Sequence, residues 1–250
     1  MPSMMPQGGR WRLTPAGDLA VGAALWLVAL AENTIAPWAP FYVLCAALTT
    51  LIPLASGTAV FGRMRQVRAS TWLLAVVGPV LFQVVAGLWT QVLYPAAAGL
   101  LGVPWNEAVE GPAHSLLAAL TGVFQVAGGR WDADPARLQG IYLGGILLWA
   151  GLGEELFFRG YMHEALRGWW GSRVAALVSA AAFGLRHPTQ LALLIPDYPW
   201  GAAASWAAIS FLFGLLMSWL YERDRSLYPP VLAHYVLNAI PAVALALGAT

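Results

Sequence analysis

Apolar stretches of membrane-crossing length recur along this chain, and that recurrence limits its possible folds more than any motif does. A helix needs roughly 20 predominantly apolar residues to cross the hydrocarbon core. Candidates are Asp18–Asn33, Phe41–Phe61, Thr71–Tyr94, Leu138–Tyr161, Val174–His187, Ala202–Tyr221 and Pro230–Leu247. Composition removes the soluble alternative. Of 250 residues, 59% are hydrophobic and only 10% charged, where an ordinary soluble domain is roughly a quarter charged. Too few charges remain to cover a water-facing surface, so lipid must solvate much of the outside. The predicted fold class is all-α: a polytopic transmembrane helix bundle of about seven to eight helices.

The arginines orient this map. Arg10 and Arg12 precede the first span; Arg63, Arg65 and Arg68 follow the second; Arg167 and Arg173 separate the fourth and fifth; Arg223 and Arg225 follow the sixth. With a cytoplasmic N-terminus all four clusters fall on the cytoplasmic side, as the positive-inside rule requires. The opposite loops carry Glu107, Glu110, Asp132, Asp134 and Asp197, with Arg130 and Arg137 dissenting. Leu100–Ala127 is moderately apolar and broken by Pro104, Glu107, Glu110 and Pro112. A full crossing there would invert every later loop, so parity favours an interfacial or re-entrant segment. Arg10, Arg12 and the apolar Leu19–Leu27 imitate a secretory signal, but Asp18 and the polytopic remainder favour a retained first helix. The expected location is the inner or plasma membrane, multi-pass, with residues 1–250 forming a single membrane domain. Trp105, Trp131, Trp169, Trp170 and Trp200 sit at segment edges, where interfacial belts contact membrane lipids. A net charge of +1 with no basic patch argues against nucleic acid as a partner, and the single Cys45 excludes an internal disulfide.

Ionisable groups inside such spans carry the functional information. Each costs at least about 2.5–3.5 kcal/mol at the centre of a spanning helix. The fourth span reads Gly151-Leu152-Gly153-Glu154-Glu155-Leu156-Phe157-Phe158-Arg159. Glu155 and Arg159 share a helical face and can form an ion pair, while Glu154 points about 100° away toward a different neighbour. One carboxylate is then structural and the other is left for proton chemistry. Across a turn at Gly171-Ser172, His187 is as far from the turn as Glu155, which places both at one depth to within about one helical turn, roughly 5.4 Å. Phe183 shares the His187 face, and Pro188 is expected to end or bend that helix. The last span enters at Pro229-Pro230 and contributes His234 and Asn238 on one face.

These residue types support hydrolysis. A carboxylate and an imidazole can hold and deprotonate water for attack on a carbonyl carbon. A second imidazole and an amide can donate hydrogen bonds to the developing oxyanion. A zinc site is also open, with Glu154, His187 and His234 as ligands and water in the fourth position. Against it, the compact His-Glu-x-x-His signature is absent, and His163-Glu164 lacks a second His at that spacing. His163 reads as an interfacial structural residue beside Tyr161, Arg167 and Trp169. Arg186 reads as a substrate contact or a snorkelling group.

Glu154-Glu155-x-x-x-Arg159, Phe183-x-x-x-His187 and His234-x-x-x-Asn238, in that order, resemble the motifs of the CPBP family. That family comprises CAAX prenyl endopeptidases, bacteriocin-processing and immunity proteins, and related bacterial intramembrane proteases. The resemblance covers a catalytic core at 138–241, with 1–137 contributing unspecific N-terminal helices. It implies an intramembrane endopeptidase in which Glu154 and His187 act on the hydrolytic water as catalytic residues. His234 and Asn238 would hold the oxyanion, with Glu155, Arg159 and Phe183 in support. Family members have been described both as metalloproteases and as glutamate proteases; the metal-free form is favoured here because a zinc ligand set is not evident. The implied substrate is a membrane-anchored or prenylated protein, or one with a C-terminal sorting signal. The competing reading is a non-catalytic protein or transporter using the same charges as an ion or proton relay. A relay strings charges along a path through several spans, whereas these are predicted to lie in one layer.

Overall fold

The computed structural model describes residues 66–93, 146–192 and 200–246, with short pieces at 17, 20–27, 51–52 and 96. Among the described residues every regular element is helical. The segment Leu100–Ala127, most of the first two expected spans and the N-terminal arginines lie outside them, as does the full helix count.

The third expected span is α1, Ala69–Leu88, prolonged by a wide π turn at Trp89–Leu93. It buries only the edge formed by Thr71, Ala75 and Pro79. Leu73, Val76, Val77, Val80, Leu81, Val84, Val85 and Leu88 are all exposed. Water would penalise such a face at about 25 cal/mol per Å², so a hydrocarbon environment is its physical counterpart. Ala69–Leu88 and Ala204–Asp224 are both long and apolar enough to cross a membrane. Pro79 is tolerated inside the first, as prolines are in spanning helices.

The fourth expected span, in its described part, is not an ordinary α-helix. It is wound as two π-helices, Ile146–Glu154 and Leu156–Met162, which meet at Glu155. π turns are rare and concentrate at functional sites because they rotate side chains out of the regular register. The next element, α2 (His163–Ala192), is broken at Gly171, whose φ of 77° and ψ of 171° reverse the chain. A positive φ is accessible to glycine at little cost, so the turn falls where the sequence predicts it. Behind the turn, Ser179 Oγ donates to the Phe158 carbonyl at 2.8 Å, locking the two arms of the hairpin together. Of the two outcomes expected at Pro188, an end or a bend, the helix does not end there: α2 continues to Ala192. Proline removes only one backbone bond, and the helix resumes beyond it.

Helix α3 (Trp200–Asp224) ends at Arg225, which adopts a left-handed φ of 52° and donates its N–H to the Tyr221 carbonyl at 2.7 Å. Helix α4 (Tyr228–Ala246) starts with Pro229 and Pro230 in its first turn, where their missing N–H groups cost nothing.

Small residues set the separation between α2 and α3. A Cβ on Gly184 would lie 2.6 Å from the Ala207 carbonyl oxygen, and one on Gly214 would lie 3.0 Å from Ala180 Cα. Without a hydrophobic force between helices in lipid, such close approach is the main source of packing energy. It brings the aromatic rings of both helices together. Phe183 packs edge-on against Phe158 with centroids 5.1 Å apart, and lies 6.2 Å from Phe213. The resulting core of Phe157, Phe158, Phe183, Phe213 and Met217 encloses the charged residues described below.

Gly184→Ala is expected to lower stability by about 1–3 kcal/mol, because a backbone oxygen cannot move aside cheaply. Gly168→Ala meets open space and is expected to be neutral or to stabilise by about 0.5–1 kcal/mol. Thermal unfolding of both variants in detergent checks the contrast; equal shifts would remove the packing argument.

Candidate active site

Four formal charges are buried in one layer of the bundle. Glu154 and Glu155 leave the junction of the two π-helices on different sides. Glu155 Oε1 accepts from Arg159 Nη1 at 3.0 Å, and both side chains are fully buried. Arg159 Nη2 donates onward to the Gly214 carbonyl at 2.9 Å. The Phe183 ring lies 4.8 Å from the Arg159 guanidinium carbon and adds a cation–π contact. Arg159 is thus held from three directions.

Glu154 has its own cation. The Arg186 guanidinium, one residue before His187, donates through Nη1 to Glu154 Oε1, and both side chains are buried. The sequence leaves Glu154 without a cation and offers Arg186 as a snorkelling group; the structure instead buries Arg186 and pairs it with Glu154. A signal for this existed. Two carboxylates and one guanidinium in an apolar layer leave a net charge, and burial of an uncompensated charge is prohibitive. A search for a second cation at the same depth finds Arg186.

His234 joins the two glutamates. Its Nδ1 lies 2.8 Å from Glu155 Oε1 and its Nε2 lies 3.7 Å from Glu154 Oε2. A carboxylate only accepts, so Nδ1 is the donor in the first contact. Rings of Phe183 and Phe213 flank the imidazole, with centroids 6.0 and 5.4 Å away. His187, on α2, directs Nδ1 at the Phe183 carbonyl, 2.8 Å away. A carbonyl also only accepts, so Nδ1 carries the proton and Nε2 keeps its lone pair. Glu154 is within electrostatic reach of both imidazoles.

The layer therefore brings together Glu154, Glu155, Arg159, Phe183, His187 and His234. Glu154, rather than Glu155, is the carboxylate on the α2 side. Glu154 bonds Arg186, the residue adjacent to His187. Asn238 stands one turn beyond His234 on α4 and is half-buried; among the described residues no hydrogen bond joins it to the cluster. His163 lies below the layer and is bonded to Glu222 Oε1 at 2.7 Å. The donors do not fit a zinc site as arranged. No three His, Cys, Asp or Glu side chains among the described residues gather closely enough to hold an ion. The guanidinium on Glu154 also competes for the charge a metal would need.

Residues 137–240 match the family model of Rce1-like type II CAAX prenyl endopeptidases. The match supports a likeness of this stretch, less than half of the 250 residues, to the CPBP family of CAAX proteases. No curated protein and no solved structure matches the chain. The matched stretch contains the whole charged layer, from Glu154 to His234, together with Asn238, and leaves α1 outside. The Rce1-like family is membrane-embedded, and this chain has two helices long and apolar enough to cross a membrane.

Removing one member of the buried Glu154–Arg186 pair leaves the other uncompensated. Arg186→Gln is expected to cost about 3–5 kcal/mol. The double variant Glu154→Gln/Arg186→Gln should recover much of that loss, since neutral groups of similar shape replace both charges. Unfolding midpoints of single and double variants provide the check; a double variant no better than Arg186→Gln contradicts the pairing.

Proposed function

We propose that the chain is an intramembrane endopeptidase that hydrolyses peptide bonds of membrane-associated substrates with water activated by Glu154 and His187. The observation that carries this reading is the split use of the Glu154 carboxylate. Arg186 engages Oε1, while Oε2 faces the imidazole of His234 across 3.7 Å. A carboxylate anchored through one oxygen presents the other in a fixed direction, as a general base must.

The steps follow from the donor and acceptor roles. Water placed between Glu154 Oε2 and His187 Nε2 gives its proton to the carboxylate while its oxygen attacks the carbonyl carbon. The carbonyl oxygen becomes an oxyanion and is met by donors from α4, His234 and Asn238. With Nδ1–H committed to Glu155, Nε2 of His234 can donate to the oxyanion only as an imidazolium. Collapse of the tetrahedral intermediate breaks the C–N bond, and Glu154 returns its proton to the leaving amine. Glu155 and Arg159 hold the His234 ring in place. No covalent nucleophile is required.

The family match over residues 137–240 supports a membrane-tethered substrate, with a prenylated protein as the first candidate. A protein carrying a C-terminal sorting segment is the second.

Detergent-reconstituted protein should cut at least one member of a panel of tagged membrane peptides. Glu154→Ala and His187→Ala are each expected to lose about 10²-fold or more in kcat, and Asn238→Ala about 10²–10³-fold. Both Glu154→Ala and His187→Ala cutting at the wild-type rate would refute the assignment. Full activity is expected after exhaustive chelation; activity lost to chelator and restored by zinc would replace the metal-free mechanism.

A further inference from the structure

A second row of buried polar groups leads away from the glutamate layer, between the Leu156–Met162 helix and α3. On one side stand Arg159 and, one turn on, His163; on the other stand Gly214, Ser218 and Glu222 at the same spacing. Arg159 bonds the Gly214 carbonyl at 2.9 Å and His163 bonds Glu222 at 2.7 Å. The two rows therefore run parallel and in register, which puts Ser218 at the level between Arg159 and His163. All three side chains are fully buried. Arg159 Nε, Ser218 Oγ and His163 Nδ1 have no hydrogen-bond partner among the described residues.

Each buried polar atom left unpaired costs about 1–3 kcal/mol, so three on neighbouring levels of one seam call for a common partner. Their chemistry is complementary to one small molecule. Arg159 Nε–H can only donate. His163 turns Nε2 toward a carboxylate, which leaves Nδ1 as an acceptor. The Ser218 hydroxyl can do either. Arg159 and His163 stand four residues apart along one continuous helical run. A water molecule typically requires two to four such partners.

The seam has an outer and an inner end. Outward, Glu222 Oε1 also meets Arg167 Nε and Arg225 Nη1, each at 3.1 Å, and these side chains are 22–41% exposed. Inward, the next unpartnered buried atom is Glu155 Oε2, beside His234.

We propose that Arg159 Nε, Ser218 Oγ and His163 Nδ1 form a water-binding site, and that this seam supplies water to the glutamate layer from the Glu222 rim. The supply role rests on the endopeptidase reading above: hydrolysis consumes one water per bond, and a peptide seated over Glu154 and His234 covers those groups. The fixed Arg159 cation in the seam repels protons, as an arginine does in a water-selective pore. The seam therefore passes water and does not serve as a proton relay.

A structure of the full chain from a lipidic mesophase, at a resolution that reveals other buried waters, is expected to show water bonded to Arg159 Nε and His163 Nδ1. A dry site, or those atoms bonded to another side chain, overturns the proposal. In the peptide-cleavage assay, Ser218→Val fills the site and should lower kcat roughly tenfold at unchanged KM. Ser218→Gly keeps the room and should lose less, although glycine is the poorer helix residue. A glycine variant that loses as much as the valine variant, or a valine variant at wild-type turnover, refutes the supply role. Should the wild type cut no peptide, the endopeptidase reading and the supply role fail together, while the crystal structure still decides the water site.

Discussion

Neutralising charge in an apolar bundle is the constraint on which the rest of this structure depends. Two carboxylates and two guanidiniums occupy a layer walled by phenylalanines. Moved singly from water to such surroundings, each would cost several kcal/mol even after relaxation. Only mutual pairing with additional hydrogen bonds makes the layer tolerable. Glu155 and Arg159 pair within one helix, and the spare guanidinium nitrogen reaches a backbone carbonyl of α3. Glu154 and Arg186 pair across the hairpin. Each ion pair therefore also fixes the position of one helix against another.

The local irregularities serve the same end. An unbroken α-helix through Ile146–Met162 would give adjacent glutamates a regular angular offset; the π winding alters it at the residue where the two carboxylates diverge. Gly171 reverses the chain so that α2 lies against the glutamate helix, and Gly184 and Gly214 let α3 approach closely enough for Gly214 to accept from Arg159. Pairing, winding and close packing are mutually dependent, because no two of them would place the third without strain or an unpaired charge.

Electrostatic anchoring also separates the roles of two neighbouring, chemically identical side chains. Glu155 is tied to Arg159 and His234, a fixed arrangement suited to orienting an imidazole. Glu154 is held through one oxygen, with the other facing His234. That asymmetry gives the endopeptidase proposal its physical content. The polar seam below Arg159 extends it, since hydrolysis in an apolar environment needs a path for water as well as a base.

Much of this was legible in the residues. Apolar run lengths and sparse charge determined an all-helical membrane fold by themselves, because unsatisfied backbone in lipid is too costly for open alternatives. Spacing put Arg159 on the face of Glu155, glycine chemistry located the turn at Gly171, and Pro229-Pro230 marked the start of α4. These are local consequences of backbone and helix geometry. Three features were decided only by tertiary structure. The π winding around Glu155 has no periodic signature. The partnership of Arg186 with Glu154 spans 32 residues, so it depends on how the hairpin arms slide against each other. The contact of His234 with both glutamates depends on where α4 docks. Helical periodicity fixes which residues share a face, but only packing fixes which faces meet, and in this bundle the packing is chosen by the need to leave no charge alone.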